Sequence, residues 1–182
     1  MMNYTNFMGP SYETKFCALE EQVVNGAEIS GYASLFGASD QGGDIVQQGA
    51  YADCLKRLAA KGGKIKMLWQ HNPNQPIGVW DKIVEDCKGL RVTGRLLTEV
   101  QAGREAQILL EAGAIDGLSI GYRTKRSEKA GGGRLLHEIE LWEVSLVTFP
   151  MLSEARVQPS SEEDALAQNL AETFRAARDL LA

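Results

Sequence analysis

Three short segments, widely separated along the chain, constrain the fold more than any other feature of the sequence. They are Gln70–Pro73, Gly117–Tyr122 and Leu141–Leu146, and they carry one histidine, one serine and one glutamate in that order. Their spacing is far too long for a single helix, strand or turn to bring the three side chains together. A fold that uses them jointly must therefore pair elements that are remote in sequence.

The composition limits the classes of protein to which the chain can belong. It has 182 residues, of which 44% are hydrophobic, so one domain with a buried core is expected. The net charge of −5 argues against nucleic-acid binding, which calls for a basic face. The cysteines are odd in number and lack C-x-x-C spacing, which favours a reducing compartment over a disulfide framework or a zinc site. Residues 1–10 do not form a signal peptide and no apolar run is long enough to span a membrane, so we expect a soluble intracellular protein.

Hydrophobic periodicity predicts a β-rich α+β fold with about three helices. Extended segments, the first broken near Asn25, are expected at 15–36, 64–69, 78–84, 89–97, 115–124 and 135–149. Helices are expected at 49–60, at 101–112 and from 160 onward. Irregular segments are expected at 40–44, at 72–76 and, as a flexible basic loop, at 125–133.

The chain divides into three predicted parts. Residues 1–12 form a flexible N-terminal arm, residues 13–158 a folded domain, and residues 159–182 a helical tail. Acidic residues occupy the first turn of the tail helix, as the helix dipole favours.

His71 and Ser119 are candidates for a base and a nucleophile. Prolines at 73 and 76 would stiffen the chain just after His71, although a lone histidine after a strand is more often structural or exposed. Ser119 lies in a Gly-x-Ser-x-Gly pattern, which also describes the nucleophile elbow of α/β-hydrolases. That elbow needs a strand before the serine and a helix after it, whereas here the helix comes first. By itself the pattern also fits close packing of small residues around a strand.

Glu143 is the candidate carboxylate. Strand alternation places it on one face with Leu141 and Ser145, so it is expected to be buried and to need a partner. Glu143 can belong to a structural ion pair. Alternatively its partner is His71, whose ring the carboxylate would orient. His137 is the rival third member, but it lies six residues away on the same strand, about 20 Å at the rise of extended backbone. A base, a nucleophile and an orienting carboxylate are the groups that a serine hydrolase requires.

Taken together, the ordered motifs resemble the prohead protease family of tailed phages, the capsid-maturation serine peptidases related to herpesvirus assemblin. The resemblance extends from about Ala27 to Val157. It depends on a series of matches in order, which are Gly31–Phe36, Asp40, Gly43–Val46, Gly49–Tyr51, Leu68–His71, Pro76–Gly78, the Ser119 segment, Glu140–Val147 and Pro150.

The resemblance implies a distorted, mainly antiparallel β-barrel surrounded by a few helices, with residues 13–158 as the protease domain. It implies His71 as general base, Ser119 as nucleophile and a third residue on the following strand. In the herpesvirus relatives that third residue is a histidine, whereas the corresponding position here is Glu143. Backbone amides are candidate oxyanion donors, with Arg156 as a weaker one. No cofactor or metal is implied.

The implied role is cleavage of scaffold, or of a scaffold-like extension of the major capsid protein, inside an assembling procapsid in the bacterial cytoplasm. Self-cleavage and homo-oligomer formation stay open, and neither membrane nor direct nucleic-acid binding is expected. The same family serves phages, prophages and gene transfer particles. Two other readings are a catalytically silent capsid-assembly protein and, with less support from chain length and topology, a small esterase that uses Ser119.

Overall fold

Eight strands and two helices form the part of the chain that the computed structural model describes, which is residues 13–18, 27–40 and 42–149. The strands are β1 (Glu13–Ala18), β2 (Glu28–Leu35), β3 (Ile45–Val46), β4 (Lys66–Trp69), β5 (Asn72–Glu85), β6 (Gly89–Leu96), β7 (Gly117–Ala130) and β8 (Gly133–Val147). The helices are α1 (Ala52–Lys61) and α2 (Gln101–Glu111). The predicted arm at 1–12 and tail at 159–182 lie outside the described residues.

One mixed sheet contains all eight strands and confirms the α+β prediction. Its strand order is β1-β7-β8-β4-β5-β6-β2, with β3 paired to β8 beside this path. All neighbours are antiparallel except β3 and β4, which both run parallel to β8. The sheet curls into a half-barrel that brings β1 close to β2, although no ladder joins these two strands within the described ranges. The parallel pairing of β4 with β8 departs from a simple meander. This pairing positions the candidate site.

The concave face of the sheet is filled by large apolar side chains, and the two helices pack against it. The fully buried members include Ile77, Leu90, Ile120 and Val144. Each helix presents one buried side to this core, as the 3.6-residue spacing of its apolar residues predicts. No helix in the described part of the chain has both the length and the apolar character needed to cross a membrane.

Cys54 is the buried contact of α1 with β8. Its sulfur accepts a hydrogen bond from the backbone N–H of Leu141 at 3.3 Å. Burial raises the pKa of the Cys54 thiol. The residue therefore acts as a small core side chain and not as a thiolate nucleophile.

The predicted flexible loop at 125–133 is wrong, because β7 continues to Ala130 and β8 begins at Gly133. Cross-strand charge pairs stabilise this hairpin: Arg123 and Lys125 both contact Glu140, at 2.6 Å and 3.1 Å. Burial of Glu140 opposes its ionisation, yet the hydrogen bonds from Lys125 and Arg123 hold its pKa below the usual value. The turn needs only two residues, with Gly131 at a φ of 55°.

The predicted turn at 40–44 is confirmed, with a structural role for its second acid. The backbone N–H of Asp44 donates to the Asp40 carboxylate at 2.8 Å. Arg134 donates to both carboxylate oxygens of Asp44, so this turn is fastened to the tip of the β7–β8 hairpin.

Gly103 lets α2 lie directly on the backbone of the sheet. A Cβ atom at this position would overlap the carbonyl oxygen of Leu97 and lie 2.7 Å from that of Ile77. Alanine normally stabilises a helix by about 1 kcal/mol over glycine. Here we expect Gly103→Ala to lower the free energy of unfolding by about 2–3 kcal/mol, because each carbonyl accepts a backbone hydrogen bond, from Val100 and from Leu97, that would be lost if it moved. Urea unfolding measures this change.

Gly132→Ala is the matched control, since nothing lies within 4 Å of a Cβ built at Gly132. Its effect on unfolding should stay within about 0.5 kcal/mol. Equal stability of the Gly103→Ala variant and the wild type would show that the helix can move away from the sheet at little cost.

Candidate active site

His71 lies in a two-residue turn that joins β4 to β5. Trp69 pairs with Asn72 across the turn, and Gln70 and His71 have φ angles of 49° and 59°. Two consecutive positive φ angles are the pattern of a type I′ hairpin turn, which normally selects Asn-Gly. Each side chain other than glycine in this left-handed region costs roughly 1–2 kcal/mol. The turn is therefore held in place by contacts elsewhere.

The turn predicted at 72–76 is wrong. The chain reverses at Gln70 and His71 instead, and β5 begins at Asn72. Pro73 lies in an irregular stretch between the paired residues Asn72 and Pro76, where the ladder does not need its missing N–H.

The end of β8 supplies the contacts that hold the turn. The Gln70 N–H donates to the Leu146 carbonyl at 2.9 Å, and the His71 N–H donates to the Ser145 hydroxyl at 3.3 Å. The Gln70 side-chain amide donates to the Thr148 hydroxyl at 2.5 Å and accepts from the Thr148 N–H at 3.4 Å. These four hydrogen bonds offset the backbone strain and fix His71 relative to β8.

Strand pairing explains why three remote segments meet. β8 lies between β4 and β7, with Trp69 opposite Leu146 on one side and Ser119 opposite Ser145 on the other. The turn that follows β4 therefore projects His71 over the end of β8. Glu143 lies two residues before Ser145, so its side chain emerges on the same face.

The three candidate side chains form a continuous chain of contacts. Ser119 Oγ lies 2.6 Å from His71 Nε2, and His71 Nδ1 lies 2.5 Å from Glu143 Oε1. The side chains of His71 and Glu143 are 17% and 3% exposed, and Ser119 is fully buried. The second carboxylate oxygen of Glu143 accepts a hydrogen bond from Ser145.

This geometry defines what each group can do. An ionised Glu143 accepts the Nδ1–H of His71, which leaves the Nε2 lone pair directed at the Ser119 hydroxyl. In that tautomer the ring can take the serine proton, and the buried carboxylate then faces the imidazolium that forms. Of the three side chains, the imidazole ring is the most exposed to solvent.

The other residues named from sequence lie elsewhere. His137 Nε2 is 3.4 Å from Glu128 on the β7–β8 hairpin, so the structure pairs it with that carboxylate. Arg156 lies outside the described residues. Within the described ranges, no three His, Cys, Asp or Glu side chains are grouped so that they could hold a metal ion.

Sequence reasoning missed the hydrogen-bonding role of Ser145 and the left-handed turn at Gln70–His71. A signal for Ser145 was present, because a residue two positions from Glu143 on a strand shares its face. No signal marked the turn, since neither of its residues is glycine or asparagine.

The curled sheet shares its fold with a solved phage protein. It superposes on the solved structure of the bacteriophage T4 capsid assembly protease with a TM-score of 0.63, covering 75% of this chain and 97% of that one. The two sequences are 12% identical, so this similarity concerns the fold alone.

The chain belongs to the Caudovirus prohead serine protease family, whose model matches residues 15–169. It is 31% identical over 158 residues to the prohead protease of Enterobacteria phage HK97, covering 85% of this chain and 67% of that protein. It is also 33% identical over 109 residues to the capsid polyprotein of Pseudomonas phage PAJU2, covering 53% of this chain and 16% of that longer protein. The resemblance seen in the sequence motifs is thereby confirmed, and the role is that of a capsid-maturation protease.

Proposed function

We propose that the chain is a serine endopeptidase in which Ser119 is the nucleophile, His71 the general base and Glu143 the orienting carboxylate. The observation that carries the proposal is the unbroken contact chain from Ser119 Oγ through both ring nitrogens of His71 to Glu143. A nucleophile, a base within hydrogen-bond reach and a third group that orients the base are the signature of covalent acyl transfer.

Each step of the reaction uses these atoms. His71 Nε2 takes the Ser119 proton as the oxygen attacks a peptide carbonyl, and it returns that proton to the departing amine. A water that His71 deprotonates then attacks the acyl-enzyme, and His71 passes that proton to Ser119 Oγ as the acid product leaves. General base catalysis contributes about 10²–10⁴-fold, and an oxyanion donor, which backbone amides are suited to supply, about 3–4 kcal/mol more.

The substrates are proposed from the relatives. Similarity to a prohead protease and to a capsid polyprotein supports cleavage of a scaffold protein, or of a scaffold-like extension of the major capsid protein. The reaction then takes place inside the procapsid as it assembles in the bacterial cytoplasm. Self-cleavage and self-association belong to the same proposal.

The test is intact-mass spectrometry of shells assembled from capsid and scaffold proteins with and without this chain. We expect fragments with new termini only in the shells that contain the chain, and their loss after treatment with a phosphonate that modifies serine nucleophiles. Assembled shells with identical protein masses in both preparations would contradict the protease and favour a silent assembly protein. Hydrolysis of short esters without protein cleavage would instead favour an esterase.

A further inference from the structure

Ser145 closes a ring of hydrogen bonds with His71 and Glu143. The backbone N–H of His71 donates to Ser145 Oγ at 3.3 Å, and the Ser145 hydroxyl donates to Glu143 Oε2. The other oxygen of that carboxylate contacts His71 Nδ1 at 2.5 Å, and this contact closes the ring of hydrogen bonds. The histidine is thus held at its backbone by Ser145 and at its side chain by Glu143, and these two partners are hydrogen-bonded to each other.

In this ring of hydrogen bonds the Ser145 hydroxyl serves both as an acceptor and as a donor. Ser145 accepts from a backbone N–H and donates to a carboxylate, and it is fully buried, so water cannot replace either contact. An ionised Glu143, itself buried, needs both of its oxygens paired. Only serine and threonine can accept and donate through one hydroxyl at this point of a strand.

We infer that Ser145 is a positioning residue that aligns Glu143 and the left-handed His71 turn for proton transfer, an inference that rests on the proposed function. It does not touch the reacting atoms. Without the hydroxyl, Glu143 Oε2 and the His71 N–H each lose their hydrogen bond to Ser145, and the imidazole loses its fixed direction toward Ser119.

Ser145→Ala is therefore expected to lower kcat by about 10- to 100-fold, the range that loss of a hydrogen bond to a buried charge implies. KM for a defined peptide substrate should change by less than about 2-fold, because substrate contacts are not altered. Ser145→Thr keeps the hydroxyl and should restore most of the rate. Ser145→Cys keeps the volume with a weak donor, and it should lose rate as alanine does.

Ser34→Ala is the matched control. Ser34 is also a fully buried strand serine, but its Oγ has no hydrogen-bond partner in the part of the chain that the structure describes. This variant should keep wild-type kcat. Equal losses in the Ser34 and Ser145 variants would overturn the inference by showing a general response to a missing core atom.

A second readout does not depend on activity. The chain has two histidines, so His137→Gln assigns the imidazole proton resonances in ¹⁵N-histidine-labelled protein. We expect a protected Nδ1–H resonance of His71 in wild type, in Ser34→Ala and in Ser145→Thr, and its loss by solvent exchange in Ser145→Ala and Ser145→Cys. Retention of this resonance together with wild-type kcat in Ser145→Ala and Ser145→Cys overturns the inference. If the wild type cleaves no substrate, the proposed function fails, while the resonances still decide whether Ser145 positions His71.

Discussion

Replacing Ser119 by alanine is expected to abolish cleavage of capsid and scaffold proteins while the shells still assemble. The substitution removes one oxygen from a fully buried position on β7, where alanine fits the space without new contacts. Because the acyl-enzyme can no longer form, turnover should fall by at least about 10⁴-fold. Intact-mass spectrometry of assembled shells measures the products, and thermal unfolding of the purified variant should match the wild type.

Ser127→Ala provides the comparison for this variant. Ser127 lies on the same strand but is exposed, so its replacement should leave cleavage unchanged. Products that persist at the wild-type rate in the Ser119→Ala shells would remove Ser119 as the nucleophile. Chain-free shells run in parallel exclude cleavage by host proteases.

Glu143→Gln is expected to lower kcat by about 10³–10⁴-fold with little change in KM. The amide has nearly the same shape as the carboxylate, and its oxygen can still accept from Ser145. It can, however, present an N–H to His71 Nδ1, which then favours the tautomer with a proton on Nε2. That tautomer cannot take the Ser119 proton, and no carboxylate remains to stabilise the imidazolium. Steady-state kinetics on a defined peptide give both constants.

Glu138→Gln is the control for the lost charge. Glu138 lies on the same strand, is partly exposed and pairs with Arg57 at 3.7 Å, so the kinetic constants should stay at wild-type values. Equal rates for Glu143→Gln and the wild type would remove Glu143 from the mechanism. A change confined to KM would assign it to substrate binding instead.

Much of the site could be predicted because its residues lie in strongly patterned segments. Alternation along β8 predicted the burial of Glu143, and the small residues around Ser119 predicted a closely packed strand. Helical spacing at Cys54 and at Ala106 located α1 and α2 to within a few residues. Each of these inferences depends only on neighbours in sequence, which is where periodicity carries information.

The remaining features depend on contacts with residues that are distant in sequence, which local patterns do not predict. The segment at 125–130 is polar and ends at glycines, so it resembles a loop until its charge pairs with β8 are known. Gln70 and His71 adopt left-handed backbone because β8 holds them, against the preference of both residues. The parallel register that sets Trp69 opposite Leu146 is a property of the whole sheet.

The parallel pairing of β4 with β8 also has a kinetic consequence. His71 and Glu143 are 72 residues apart, and Ser119 lies between them, so their assembly closes a long loop. Such high contact order slows folding, because chain entropy is lost before the distant contacts form. During synthesis His71 and Ser119 leave the ribosome before β8 does. Under the proposed function, a nascent chain therefore lacks the complete triad, and we expect no cleavage of the chain or its neighbours until β8 has been synthesised.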